Sequence, residues 1–400
     1  MIFTKRQLEN YAEVLIWGLG AERARRFKPY DTVVVRVNID SLPLAEVVHR
    51  RLIERRLNVV FRMLPPPGIE KDFYVRSDKA QRQFISPGEK ELYASCHGLI
   101  ALNAPASLTH LKDVDPGRIG EAAIAKKSLR RIWDRREEQG HFSWTLCTYP
   151  TGELAANAGL SLKAYAAQVA KACLIDEKDP VAKWRQIYRD CQGIKSWLKS
   201  LDIDIVRVET GNMDLEIKLG ERRRFQGISG ANIPSFEVFT SPDWRGTRGT
   251  YYANLPSYRN GNIVQGVKLE FKEGKAVGIS AARGEEFVKK TLATDAGARQ
   301  LGEFSLTDVR FSRIDKFMAD TLFDENFGGE HGNCHVAMGA SYSDTFDGDP
   351  ARLGEAAKKK LGFNDSSVHW DIINTEDKRV TARLKSGRTI AVYEKGKFQY

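Results

Sequence analysis

Cysteine is scarce in this 400-residue chain: Cys96, Cys147, Cys173, Cys191 and Cys334 are five in number, scattered, and never spaced as C-x-x-C. That excludes a disulfide framework and a zinc ribbon, and it fits a reducing compartment. No apolar run is long enough for a membrane span, and the opening Met-Ile-Phe-Thr-Lys-Arg-Gln-Leu lacks the apolar stretch of a secretion signal. The expectation is a cytoplasmic protein with no membrane partner. Internal repeats and low-complexity tracts are also missing. With 42% hydrophobic and 28% charged residues the composition is that of an ordinary globular protein, and the length suggests two domains.

The net charge is +10, with cations bunched at Arg50, Arg51, Arg55 and Arg56 and again at Lys126, Lys127, Arg130, Arg131, Arg135 and Arg136. Such bunching suits an anionic partner such as nucleic acid. The interleaved Glu54, Glu137 and Glu138 favour solvated helix faces instead, and no nucleic-acid fold motif accompanies the charge. Nucleic acid is therefore not the expected partner.

Helical spacing of Leu8, Tyr11, Ala12 and Leu15 predicts a helix over 5–19. Strands are expected at Thr32–Val37, 59–64, 99–102 and 143–147, with helices over 43–57 and 118–138 between them. Alternating strands and helices predict an α/β N-terminal domain, residues 1–200, built on an open and largely parallel sheet. Two helices, 161–176 and 180–201, close it. From residue 203 the pattern turns to period two, with strands at 205–208, 213–219, 263–271, 276–280, 380–384 and 389–393 and a tight turn at Glu273-Gly274. This predicts an α+β, strand-rich C-terminal domain, residues 201–400.

The chemistry-bearing residues lie in that second half. In His369-Trp370-Asp371 a strand would bury Trp370 and turn His369 and Asp371 to one common face. Imidazole and carboxylate so placed suit a metal ion, but taken alone the motif fits a surface pair on a half-exposed strand better. Upstream, a segment read as a glycine-rich loop carries Glu325, Glu330, His331, His335 and Tyr342. His331 and His335 are four apart, but Gly332 stands where a zincin helix needs Glu, so that reading is excluded. Glu237 and Glu303 each sit in an apolar, strand-like run. A buried carboxylate without a partner is costly, although a solvent-facing position explains either one alone. Together Glu237, Glu303, Glu325 and Asp371 carry four negative charges, which two divalent cations would balance.

Five ordered motifs give the set a family likeness: Asn232-Ile-Pro-Ser-Phe-Glu-Val-Phe-Thr-Ser-Pro-Asp, Leu301-Gly-Glu, Phe323-Asp-Glu-Asn, His335-Val-Ala-Met-Gly-Ala-Ser-Tyr and His369-Trp-Asp. Asp179-Pro-Val-Ala-Lys-Trp and Thr210-Gly-Asn-Met-Asp-Leu add to it. The sequence resembles the aminopeptidase T/aminopeptidase S metallopeptidase family over nearly its whole length. The resemblance implies a homodimeric enzyme with two divalent ions (zinc or cobalt, with manganese or magnesium as further options) that cleaves peptides carrying a free N-terminus through a bridging water. It implies Glu237, Glu303, Glu325, His335, His369 and Asp371 as ligands and Tyr342 as an active-site tyrosine. A carboxylate beside a bridging water can take its proton, which makes Glu303 the choice for general base, whether as base, ligand or both by turns. The segment between Glu325 and His335 is longer than in some family members, which leaves open whether Glu330 or His331 joins the site. Two other readings stand beside this one: a non-catalytic binding protein for an anionic partner, and a hydrolase of non-peptide amides.

Overall fold

The computed structural model describes residues 2–400, which divide into two compact units. The first comprises residues up to Tyr188 with Ile228–Ser235 and Met318–Leu322; the second is the remainder. The division thus falls inside the helix Pro180–Ser200 rather than at residue 200. Two short pieces of the later sequence also return to the first unit. One of them supplies a strand to its sheet, so chain order alone could not assign it.

The first unit is built on β1 (Thr32–Val37), β2 (Asn58–Met63), β3 (Gly98–Asn103), β4 (Ser143–Thr148) and β7 (Asn232–Ile233), numbered in chain order. They form one sheet in the order β2-β1-β3-β4-β7, and every pairing is parallel. Central strands of such a sheet are covered on both faces and read as continuous apolar runs. β1 and β3 do so, with Val33, Val35, Ile100 and Leu102 fully buried. Helices connect the strands. Leu42–Glu54 begins with Pro43 in its first turn, where the missing N–H is harmless. The cations at 50–55 are neutralised locally: Arg50 pairs with Glu9, Arg51 with Glu9, Glu13 and Glu54, and Arg55 with Glu13. They serve the packing of the helix Lys5–Ala21 against Leu42–Glu54.

In the second unit an eight-stranded sheet runs in the order β13-β12-β9-β6-β5-β17-β18-β19. Its strands are β5 (Ile203–Glu209), β6 (Asp214–Lys218), β9 (Arg248–Ala253), β12 (Val267–Lys272), β13 (Lys275–Ser280), β17 (Arg379–Leu384), β18 (Thr389–Glu394) and β19 (Lys397–Phe398). Glu273 and Gly274 both take positive φ in the β12–β13 turn, the conformation that a two-residue hairpin of matching twist requires. The run 263–271 is two strands rather than one. β11 (Asn262–Val264) pairs with β10 (Ser257–Arg259), and Gly266, at φ +62°, breaks the chain before β12.

A second antiparallel sheet, in the order β16-β15-β14-β8, carries the candidate residues. It comprises β8 (Glu237–Thr240), β14 (Leu301–Thr307), β15 (Asn333–Gly339) and β16 (His369–Asn374). The Tyr251 hydroxyl on β9 donates to the carbonyl oxygens of Ile372 at 2.6 Å and Cys334 at 3.2 Å, tying the two sheets together. The segment read as a glycine-rich loop therefore contains a strand. β15 is buried at every position, so it lacks the alternation of buried and exposed residues that marks a half-solvated strand. All five cysteines are free and buried. No helix among the described residues is long and apolar enough to cross a membrane.

Candidate metal centre

Strand register explains how the acids and imidazoles meet. Ser305 lies opposite His335, Thr307 opposite both Asn333 and Glu237, Ala337 opposite Glu303 and Asp371, and Gly339 opposite His369. Side chains alternate faces at period two. Glu237, Glu303, His335, His369 and Asp371 thus all project from one face of the sheet. The other face takes Val238, Phe304, Leu306, Val336, Trp370 and Ile372, each at most 3% exposed. Small residues share the polar face (Ser305, Ala337 and Gly339), leaving space between the larger polar groups. At Gly302 a bulge resets the register next to Glu303, and a Cβ there would lie 2.2 Å from the Ala340 carbonyl oxygen.

His335 is the centre of one group. Its Nε2 lies 3.2 Å from Glu237 Oε2 and 3.2 Å from Glu303 Oε1. Glu237, Glu303 and His335 offer donor atoms all within 4.8 Å of one another. Ser305 donates to Glu237 Oε2 at 3.3 Å. A second group lies beside it, where His369 Nε2 is 3.4 Å from Asp371 Oδ1 and 3.8 Å from Glu303 Oε2. The His369 Nδ1 lies 3.0 Å from the Ala340 carbonyl, which fixes the ring and leaves Nε2 facing the acids. Glu325 is buried and feels the charges of Glu237, Asp371, His335 and Glu303. Asn333 and Thr307 hold its main chain, both donating to its carbonyl oxygen at 2.9 and 3.2 Å.

Tyr342 is half-buried at the margin, its ring 4.8 Å from that of His369 and 6.0 Å from that of Phe239. Its backbone N–H donates to Ser241. Glu330 and His331 lie apart from this face: Glu330 is exposed, and His331 is 3.8 Å from Glu330 and 3.8 Å from Asp377. Sequence reasoning missed Ser305, Asn333 and Arg259. Arg259 donates to the His369 carbonyl at 2.8 Å, and its guanidinium lies 5.3 Å from the Trp370 ring centroid. The available signal was a period-two run of polar and small residues, Glu303-x-Ser-x-Thr and His335-x-Ala-x-Gly.

Without a cation these groups oppose one another. Burial, with the Glu237 charge adding to it, pushes Glu303 up to about 7 despite its hydrogen bond to His335. Burial, then Glu237 and Asp371, push Glu325 well above the carboxylate range. Burial disfavours the charged form of His335, but hydrogen bonds to Glu237 and Glu303 overcome it and hold the imidazole well above its usual value. Burial likewise works against His369, yet Asp371 raises it to about 9; His369 in turn overrides burial at Asp371 and lowers it to about 2. Buried carboxylate and imidazole donors in this arrangement fit divalent cations such as zinc, cobalt or manganese.

A pH dependence follows. An unfolded Glu titrates near ~4.3 and an unfolded His near ~6.5. Glu303, Glu325, His335 and His369 all bind protons more tightly when folded, so the native state holds the excess of protons between these values and about 9. Stability must then fall as pH rises through that window. Metal-stripped protein should melt at progressively lower temperature from pH 5 to pH 9, and added zinc should flatten the trend. A flat profile without metal would contradict the burial and coupling described above.

Comparison with known proteins gives the family and the fold. Residues 4–398 match the family model described as thermophilic metalloprotease (M29). The chain belongs to that family. It is similar to aminopeptidase 2 of Geobacillus stearothermophilus, 27% identical over 99% of this chain and 98% of that protein. To aminopeptidase T of Thermus aquaticus it is 29% identical over 72% of this chain and 73% of the relative. The solved structure of wild-type AmpT from Thermus thermophilus superposes with a TM-score of 0.79, covering 99% of this chain and all of that one at 22% identity, and so shares the fold. The likeness read from the five motifs is upheld, as is the α/β plus strand-rich architecture. As a metallopeptidase family member the chain is a hydrolase, which displaces the non-catalytic reading.

Proposed function

We propose that this metallopeptidase removes N-terminal residues from peptides, holding two divalent ions among Glu237, Glu303, Glu325, His335, His369 and Asp371. The placing of Glu303 carries the reading. Its Oε1 faces His335 and its Oε2 faces His369, with Glu237 beside the first imidazole and Asp371 beside the second. One carboxylate thus serves two neighbouring donor groups, which supports two cation positions that share it. The aminopeptidase names of the relatives support the exopeptidase direction.

Bound zinc or cobalt would polarise the scissile carbonyl and lower the pKa of a coordinated water toward ~7. The chain's own groups do the rest. Glu303 accepts the proton of the attacking water and returns it to the leaving amine. Tyr342, beside His369, offers its hydroxyl to the oxygen on which negative charge develops. His369 and Asp371 are more open than the fully buried His335, with side chains 25% and 15% exposed, so substrate approaches from their side. A substrate's free α-amine would be held there as a neutral donor to the bound cation.

Three measurements test this together. Elemental analysis should find about two equivalents of metal, as expected of a paired-ion site. Chelation should abolish hydrolysis of an aminoacyl chromogenic amide, and zinc or cobalt should restore it. An N-acetylated peptide should resist cleavage. Full activity after chelation would sink the metal mechanism, and ready cleavage of the acetylated peptide would sink the exopeptidase assignment.

A further inference from the structure

Asn333 opens β15 on the same face as His335, two residues away. Its Nδ2 donates to the carbonyl oxygens of Glu325 at 2.9 Å and Phe327 at 2.8 Å. Both neighbours are acceptors, so the amide orientation is fixed, with Oδ1 facing away from them. That Oδ1 is buried and has no hydrogen-bond partner. The same holds for Nδ1 of His335, a buried ring whose Nε2 faces Glu237 and Glu303. One of these atoms can donate and the other accepts. Both belong to residues with no measurable exposure, where an unsatisfied polar group is costly. The two residues are i and i+2 on one strand, so their side chains are neighbours on the same face of the sheet.

We propose that Asn333 is a positioning residue for the metal centre: through one buried water its Oδ1 receives the Nδ1–H of His335, while its Nδ2 fixes the main chain of Glu325. This rests on reading His335 and Glu325 as ligands. A proton held on Nδ1 leaves the Nε2 lone pair for the ion, the role that the Ala340 carbonyl plays for His369. A single amide would then set two ligands that approach the sheet face from different segments. The water satisfies the usual requirement of at least two polar partners in a buried site.

A crystal structure of the zinc-loaded enzyme tests the arrangement directly. Density for a water within hydrogen-bond distance of both Asn333 Oδ1 and His335 Nδ1 is expected; the two atoms without any shared partner would overturn it. Two variants give a second route. Asn333→Leu removes donor and acceptor, and should weaken zinc binding by 10- to 100-fold in chelator competition. Asn333→Asp keeps an acceptor toward His335, so the Nδ1–H resonance of His335 in the zinc-loaded protein should persist there and shift or vanish in Asn333→Leu. Wild-type zinc affinity with an unmoved resonance in Asn333→Leu would refute the proposal. Failure of the unsubstituted protein to take up zinc would instead refute the metal-centre reading, and a crystal structure of the metal-free protein would still decide the hydrogen bond. If Asn333→Leu does not fold, Asn333→Asp and the crystal structure decide.

Discussion

Glu303→Gln should lower kcat on an aminoacyl amide by a factor of about 10² or more, the usual contribution of a general base. Glutamine matches glutamate in size and still presents one carbonyl oxygen, so the sheet face should keep its shape. What disappears is the ability to accept a proton, together with one negative charge from a buried cluster. The carboxyl is 4% exposed, and in the absence of a cation burial pushes it up to about 7. Metal content separates its two roles. If the variant retains both ions and loses turnover, Glu303 acts chiefly as the base. If one ion is lost together with turnover, its bridging of His335 and His369 matters more. Normal turnover by the glutamine variant would show that another group takes the proton.

Gly339→Ala should destabilise the protein by about 3 kcal/mol or more, the upper range for a forced backbone conformation. Gly339 has φ +106°, and a Cβ there would stand 2.0 Å from the Val368 carbonyl oxygen and 2.7 Å from its carbonyl carbon. Neither atom can retreat, because Val368 leads directly into β16 and Gly339 pairs with His369. Relief would displace His369, so activity should fall together with stability. Gly354→Ala is the control: its φ is −70° and nothing lies within 4 Å of the added methyl. Calorimetric melting of the two variants checks the contrast. Equal melting temperatures would show that β15 and β16 can separate without penalty.

The first unit was largely legible because its signals are local. Thr32–Val37 is a run of β-branched and apolar residues that suits a covered parallel strand, and Pro43 marks a helix start within a residue. The helix expected over 161–176 ends earlier, at Ala172, because Leu174 takes a left-handed φ of 61°. In the second unit the loss is specific to β15. Cys334, His335, Val336, Ala337 and Met338 are all buried, and on a strand covered on both faces the small Ala337 and Gly339 blur the polar period that His335 begins. Glycines at 328, 329 and 332 then suggest a loop. Glu237 and Glu303 were ambiguous for a related reason, since a carboxylate facing a metal and one facing water alternate identically along a strand.

The sequence by itself determined the two-part architecture, the residue types of the candidate metal centre and the family, because local periodicity and ordered motifs survive without coordinates. Only the tertiary structure decided which donors share a space. It turned Glu330 and His331 away, returned residues 228–235 to the first unit, and put Glu303 between His335 and His369. The physical reason is register: one residue of slip in β14, β15 or β16 would send every candidate ligand on that strand to the apolar face, and register is fixed by pairing between segments far apart in the chain.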